Sequence, residues 1–309
     1  VGEHYYHFGG VSPLNALNCE IIDHVEGELK KRGHNLPVYF GNRNWHPFAS
    51  ETAEKMSQDG VRKVAVFATS AWGGYSACRQ YDEDIQQMRE HLVEQGLPDI
   101  EFTKIRQFFD HPKFVAEMAA AVTEVWGQVP EEKKESTRML FTAHSVPVAH
   151  DNVGGVEGDK NLYSRQVAEA SRLVASQAGI SDYDLVWQSR SGNPRTPWLE
   201  PDIVDHTTDI HHNEGIDTVV VCPIGFISDH MEVIWDLDSE LQKAADEMGV
   251  KVLRTRTAGP TPRFAEMVVD LIDELEQGRE WETSGSVTVQ GCTVNGAPCA
   301  AGCCDIWSR

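Results

Sequence analysis

Arg138-Met-Leu-Phe-Thr-Ala-His144-Ser-Val-Pro147 decides the fold. An apolar run, Arg138–Ala143, reads as a strand, and His144 stands in the turn that leaves it. A helical pattern follows over Asn161–Ala178. A strand that ends on a polar side chain and then leads into a helix is the repeating unit of a parallel sheet covered by helices. The unit recurs in both directions. Further strand candidates are Leu36–Phe40, Lys63–Thr69, Ile100–Arg106, Tyr183–Gln188, Thr218–Ile224 and Lys251–Thr255. Helical patterns fill the gaps: Pro13–Arg32, Pro47–Asp59, Ala77–Gln95, Pro112–Gly127, Glu200–Asn213, His230–Met248 and Pro262–Gln277. Pro in a first turn and Gly past a last one, as at Pro112 and Gly127, punctuate them. This alternation predicts an α/β chain of two similar doubly wound domains with parallel sheets. The polar run Pro130–Thr137 divides them into residues 1–130 and 131–278, and residues 279–309 form a Cys-rich tail.

Charge narrows the function. The 309 residues carry 27 Lys and Arg against 48 Asp and Glu, a formal net charge of −21. No basic stripe is present to neutralise phosphates, which excludes nucleic acid and disfavours anionic lipid. No segment reaches the ~18 apolar residues of a membrane span. Seven cysteines, an odd number, do not make a secreted disulfide framework, so a cytoplasmic location is expected. The chain opens at Val1 without Met.

Three polar clusters follow strands of the second domain: His144, Gln188-Ser189-Arg190, and Asp229-His230-Met-Glu232. Ligands of doubly wound folds sit beyond the carboxyl ends of strands, so the three predict one cleft. His144 can be a base or a ligand for a divalent metal, or a loop histidine that bonds backbone. Glu232, Asp236 and Glu240 are spaced four apart and share one helical face. Such a row is either a solvated face or a path of hard oxygen ligands for a hydrated cation. Trp187 and Trp198 flank a Pro-rich loop that carries Arg190 and Arg195. Aromatic faces with arginine forks suit a planar ligand with carboxylate arms, unless the loop packs its own Trp.

The tail reads Cys292-Thr-Val-Asn-Gly-Ala-Pro-Cys299-Ala-Ala-Gly-Cys303-Cys304. Four thiols among small residues, Gly and Pro cannot build a core. They point to a soft-metal site, zinc or an iron–sulfur cluster, with a redox-labile appendage as the alternative.

Several motifs together resemble ferrochelatase. They are Phe-Thr-Ala-His144-Ser-Val-Pro, Trp187-Gln-Ser-Arg followed by Pro197-Trp198-Leu and Pro201-Asp, and Pro223-Ile-Gly-Phe with Asp229-His230, Glu232 and Asp236. Phe8-Gly-Gly-Val-Ser-Pro-Leu14 and Tyr39-Phe-Gly with Pro47-Phe48 are similar to first-domain motifs of that family. The likeness runs from about Tyr5 to Gly278. It implies insertion of ferrous iron into a porphyrin. His144 would bind the metal or accept pyrrole protons, and Glu232 would face it across the macrocycle. Asp236 and Glu240 would continue an acidic path, with Asp229 and His230 in support. Trp198, Gln188, Ser189 and Arg190 would line the porphyrin pocket. The tail is similar to those of cluster-bearing actinobacterial members, which implies coproporphyrin III as substrate over protoporphyrin IX, and a [2Fe–2S] cluster or, alternatively, zinc. Tyr75-Ser-Ala-Cys78 matches the family's first-domain ligand, so Cys78, Cys292 and Cys299 would be three ligands. The fourth is Cys303 or Cys304, with Cys304 preferred. Cys19 and Cys222 read as packing cysteines. One departure is the family's opening strand and Gly-rich loop, which this sequence lacks. Two other readings are a cobalt or nickel chelatase for another tetrapyrrole, and a metal or haem carrier without catalysis. A monomer is expected.

Overall fold

A helix of the pattern -Ile21-x3-Val25-x3-Leu29- must bury one stripe, and α1 (Leu14–Lys31) does so. The computed structural model describes residues 6, 9–156, 160–193, 195–287 and 302–306. After α1 come α2 (Ala49–Gln58), β1 (Lys63–Val66), a π-helical turn (Tyr75–Arg79), α3 (Gln80–Glu94), β2 (Glu101–Lys104) and α4 (Pro112–Trp126). Strands β1 and β2 pair in parallel. The expected strand Leu36–Phe40 is not one. The segment finds no ladder partner among the described residues, and Leu36 stays 41% exposed. Composition favours extension there, but a strand exists only where a neighbour accepts its hydrogen bonds.

The second half holds β3 (Thr137–His144), the short α5 (Val148–Asp151), α6 (Leu162–Ala178), β4 (Tyr183–Gln188), α7 (Ile203–Glu214) and β5 (Thr218–Cys222). Then come α8 (Met231–Trp235), a second π-helical segment (Asp236–Leu241), α9 (Gln242–Met248), β6 (Lys251–Arg254) and α10 (Pro262–Gln277). The four strands lie in the order β4-β3-β5-β6, all parallel. Thr-Val-Val-Val-Cys222 is buried at every position, as a central parallel strand covered on both faces must be. The chain leaves β3 toward β4, then returns to the far side of β3 to form β5. That reversal opens a crevice at the carboxyl ends of β3 and β5, where doubly wound folds hold their ligands.

One apolar core runs from Ile21 and Phe108 through Met139, Phe141 and Val220 to Phe264 and Leu271, while Val64 of β1 and Phe102 of β2 pack in a separate cluster with Met56 and Leu92. Helix α10 returns to the first half and fastens it. Its Asp270 and Asp273 take Arg32, the C-cap of α1, at 2.7 and 3.3 Å. Its Glu274 takes Arg106 in a two-pronged pair at 2.7 and 2.8 Å, with both side chains only 4% exposed. Past Gly278, the chain from Trp281 to Val287 lies along the body. Arg106 donates to the Glu282 carbonyl, Ser284 N–H to the Asp110 carbonyl, and Ser286 N–H and Oγ–H to Glu169. Arg172 first, and then the two bonds from Ser286, pull the Glu169 carboxyl down to about 2 against burial.

Candidate active site

His144 is the last residue of β3, and its register partner is Gln188, the last of β4. Both therefore emerge at the same edge of the sheet. The ring of His144 is held through Nδ1, which lies 2.5 Å from the Ser145 carbonyl. A carbonyl only accepts, so Nδ1 donates to it, which in the neutral ring leaves the lone pair on Nε2. Nε2 lies 3.8 Å from the Glu232 carboxylate. Tyr163, buried in the core, donates to the His144 carbonyl at 2.8 Å and fixes the strand end from below.

The loop after β5 brings Glu232 there. Gly225 donates to the Thr142 carbonyl, and a Cβ at Gly225 would lie 2.5 Å from that of Ala143. Only glycine lets the two backbones meet this closely. Trp72 of the first half donates its indole N–H to the Gly225 carbonyl at 3.0 Å. His230 then caps α8, its Nδ1 accepting from Glu232 N–H at 3.2 Å. Burial holds the His230 ring below its ordinary range, against the pull of Glu232 and with the push of His144.

The acidic row is real but changes its geometry. From Asp236 to Leu241 the helix is of the π type. Bonding five residues on puts somewhat more than four residues in each turn, so steps of four stay on one face. Glu232 and Glu240 are exposed, and Asp236 between them is partly buried. Asp236 accepts from Gln188 at 3.1 Å and from the Ser189 hydroxyl. Burial first, and then the fields of Glu240 and Glu232, raise its carboxyl above the usual range against those two bonds. Gln188 is 1% exposed and accepts from Thr142 at 3.1 Å, so it and Ser189 position Asp236.

Other expected residues fall in varied places. Trp187 is buried against Tyr163, with ring centres 5.8 Å apart, and is a core residue, not a ligand face. Trp198 is half-buried and bridges Pro147, three residues past His144. Arg190 is exposed with Glu200 at 3.8 Å, and Arg195 is exposed as well. Glu232 and His144 were expected to face each other across a macrocycle. A flat ring between two groups needs two van der Waals contacts, roughly 7 Å, and the gap here is 3.8 Å. Sequence reasoning missed Arg254, the last residue of β6. It forks onto Asp238 at 2.7 and 2.8 Å and reaches Asp229 at 2.9 Å, tying the π segment to the loop. The strand-end rule that singled out His144 and Gln188 singles out Arg254 too.

A sequence profile described as ferrochelatase matches residues 1–276. This chain belongs to the ferrochelatase family. It is an enzyme of metal insertion into a porphyrin. Among its relatives, the coproporphyrin III ferrochelatase of Corynebacterium glutamicum is 58% identical over 304 residues, 98% of this chain and 82% of that protein. The enzymes of the same name from Corynebacterium diphtheriae and Mycolicibacterium smegmatis are 54% and 51% identical, each over 98% of this chain and over 84% and 88% of their own. In shape the chain is similar to SirB from Bacillus subtilis with Fe3+, at a TM-score of 0.56 and 13% identity, over 82% of this chain and 88% of that one. The cobalt complex of the sirohydrochlorin chelatase SirB, from the subspecies spizizenii, gives 0.54 at 12% identity, over 85% and 92%. At such identity the likeness is one of fold. No helix among the described residues is long and apolar enough to cross a membrane.

Cys303 and Cys304 of this ferrochelatase gather around Cys78. Cys78 lies in the first π-helical turn, 4% exposed, packed by Leu162 and by Val287 of the tail. Cys303 and Cys304 are buried there as well. Arg79 donates to the Cys303 carbonyl at 2.8 Å, and Gly155 N–H points at the Cys304 sulfur at 3.4 Å. The Cys304 thiol is lowered to about 7, first by a bond from Cys303, then by backbone N–H groups of Gly155 and Gly74, against burial and the Cys78 charge. Such a setting favours thiolate. Cys292 and Cys299 lie outside the described residues. Among the described residues no cysteine is in a disulfide. Cys222 is buried as expected, with its thiol pushed up to about 12 by burial. Cys19 is not: it is exposed on α1, between the inward positions Asn18 and Ile21.

Proposed function

We propose that this ferrochelatase inserts ferrous iron into coproporphyrin III, giving coproheme, in the cytoplasm. The carrying observation is the His144 lone pair set 3.8 Å from the Glu232 carboxylate at the β3–β5 crevice. Insertion requires a transient ligand for the dication and acceptors for two pyrrole protons. His144 Nε2 and Glu232 supply both from one side of the ring. Glu240 and Asp236 lead the hydrated iron toward them, with Asp236 held by Gln188 and Ser189. The macrocycle needs apolar surface. Trp198 beside the site, and the exposed Val11 and Trp45 of the two first-half motifs, are suited to it. Arg190 and Arg195 are placed to meet its carboxylate arms.

The chemistry of the Cys78 centre fits a [2Fe–2S] cluster held by Cys78, Cys292, Cys299 and Cys304. Thiolate is favoured at Cys304, and a buried cation lies against Cys78. Such a cluster supplies one-electron chemistry and a covalent fastening of the tail. Zinc is the alternative occupant. The tail enters at Val287, against Cys78, and Cys303 lies beside Arg79. Cys292 follows Val287 by five residues, a reach of at most ~18 Å. Free thiols of this kind fit a reducing compartment.

The test is an anaerobic mixture of protein, ferrous iron and porphyrin, read by the collapse of the porphyrin absorption bands. Coproporphyrin III is expected to be metallated with a kcat/KM at least tenfold above that for protoporphyrin IX. Equal rates would remove the tetracarboxylate assignment. Metallation of neither would remove the function.

A further inference from the structure

We propose that Lys104 is a positioning residue for the cluster, its buried ammonium donating to the Cys78 sulfur and raising the reduction potential. The proposal rests on the cluster reading of the Cys78 centre. Lys104 ends β2, at the same edge of its sheet that His144 occupies in the other. Its side chain is only 3% exposed, although Asp82, its carboxylate partner at 2.6 Å, is 31% exposed. Pairing with Asp82 alone does not require the ammonium to leave water, and burying it is costly unless every proton is satisfied. Inside, its three protons find three acceptors: Asp82, the Cys78 carbonyl at 2.9 Å and the Cys78 sulfur at 3.2 Å. The sulfur contact is what a plain ion pair leaves unexplained.

A fixed cation and an N–H···S bond stabilise a thiolate-bound cluster more after it has gained an electron, because the bond and the field act on added negative charge. The couple is one electron, taken from dithionite and returned to ferricyanide, with no bond or proton changing place at Lys104. Asp82 opposes this by drawing on the same ammonium.

The experiment uses full-length holoprotein purified without oxygen. Iron and labile sulfide are counted, and the midpoint potential is followed by electron paramagnetic resonance for wild type, Lys104→Met and Asp82→Asn. Wild type is expected to hold two irons and two sulfides per chain. Lys104→Met, once loaded, is expected to be at least tenfold harder to reduce, a fall of ~59 mV for one electron. Asp82→Asn is expected to shift the potential upward. A loaded Lys104→Met at the wild-type potential would overturn the proposal. If Lys104→Met does not accumulate as folded protein, an unshifted Asp82→Asn overturns it. A wild-type protein without cluster iron overturns the cluster reading and the proposal together, and is seen before any variant is measured.

Discussion

A histidine that gives its Nδ1 proton to a carbonyl 2.5 Å away keeps its other nitrogen ready for a proton or a metal. Glu232, on the opposite arm of the crevice, adds the charge that makes a dication welcome. On these roles Glu232→Gln is expected to lower kcat at least a hundredfold with porphyrin affinity kept, a barrier rise of about 2.7 kcal/mol. Stopped-flow insertion beside fluorescence titration of the porphyrin checks it, and a kcat within threefold of wild type would remove Glu232 from the chemistry. Asp236 behaves differently because burial raises its carboxyl above the ordinary 3.8. The folded chain then binds that proton more tightly than the unfolded chain. Its contribution to stability is largest below 3.8 and declines as pH rises through the folded value. Asp236→Asn removes the titration, so its stability relative to wild type is expected to grow with pH and then level off. Urea denaturation from about pH 4 to pH 7 checks this. A difference that shrinks with pH would mean the carboxyl is lowered instead.

At the scale of elements, the π-helical segment Asp236–Leu241 is where local pattern and tertiary bonds cooperate. Spacing of four put Glu232, Asp236 and Glu240 on one face, and that much was legible from residue numbers alone. The wider turn was not, and neither was the Arg254 fork that holds Asp238 within it and Asp229 before it from another strand. Arg254→Met is expected to cost about 2 kcal/mol, between the value of an exposed pair and a buried one, and to raise KM for iron with little change in kcat. Urea denaturation and steady-state insertion read the two effects. A loss under about 0.5 kcal/mol, with KM unchanged, would show the fork to be ornamental. Strand and helix positions in the second half were readable because Val219, Val220, Val221 and the β3 run are buried on both faces, and long apolar runs leave little choice. Leu36–Phe40 was misread for the converse reason: whether a neighbouring strand stands ready to pair is a tertiary matter, and among the described residues none does. Cys19 was misplaced by one helical step, since its helix buries Asn18 and Ile21 instead.

Across the whole molecule, the last helix and the tail tie distant halves together. Four cysteines near the end raised the expectation of a metal site, but nothing local announced that residues 281–287 would be stitched to Arg106, Asp110 and Glu169 on the way. Those partners lie more than a hundred positions upstream, and single-sequence reasoning has no access to such pairs. Ending the chain after Val287 is expected to abolish the bound metal yet keep most of the stability. Ending it after Glu280 is expected to cost a further ~2–6 kcal/mol, the net worth of the four bonds named above, and guanidinium denaturation of both shortened proteins compares them. Equal stabilities would mean that the segment adds nothing to the body. The centre of the account remains the crevice between β3 and β5. The most direct measurement mixes His144→Ala with coproporphyrin III and ferrous iron under nitrogen, and records porphyrin binding and metallation in the same cuvette. The account predicts wild-type porphyrin binding with metallation below a hundredth of the wild-type rate. Metallation above about a tenth of that rate, a barrier change under ~1.4 kcal/mol, would contradict it.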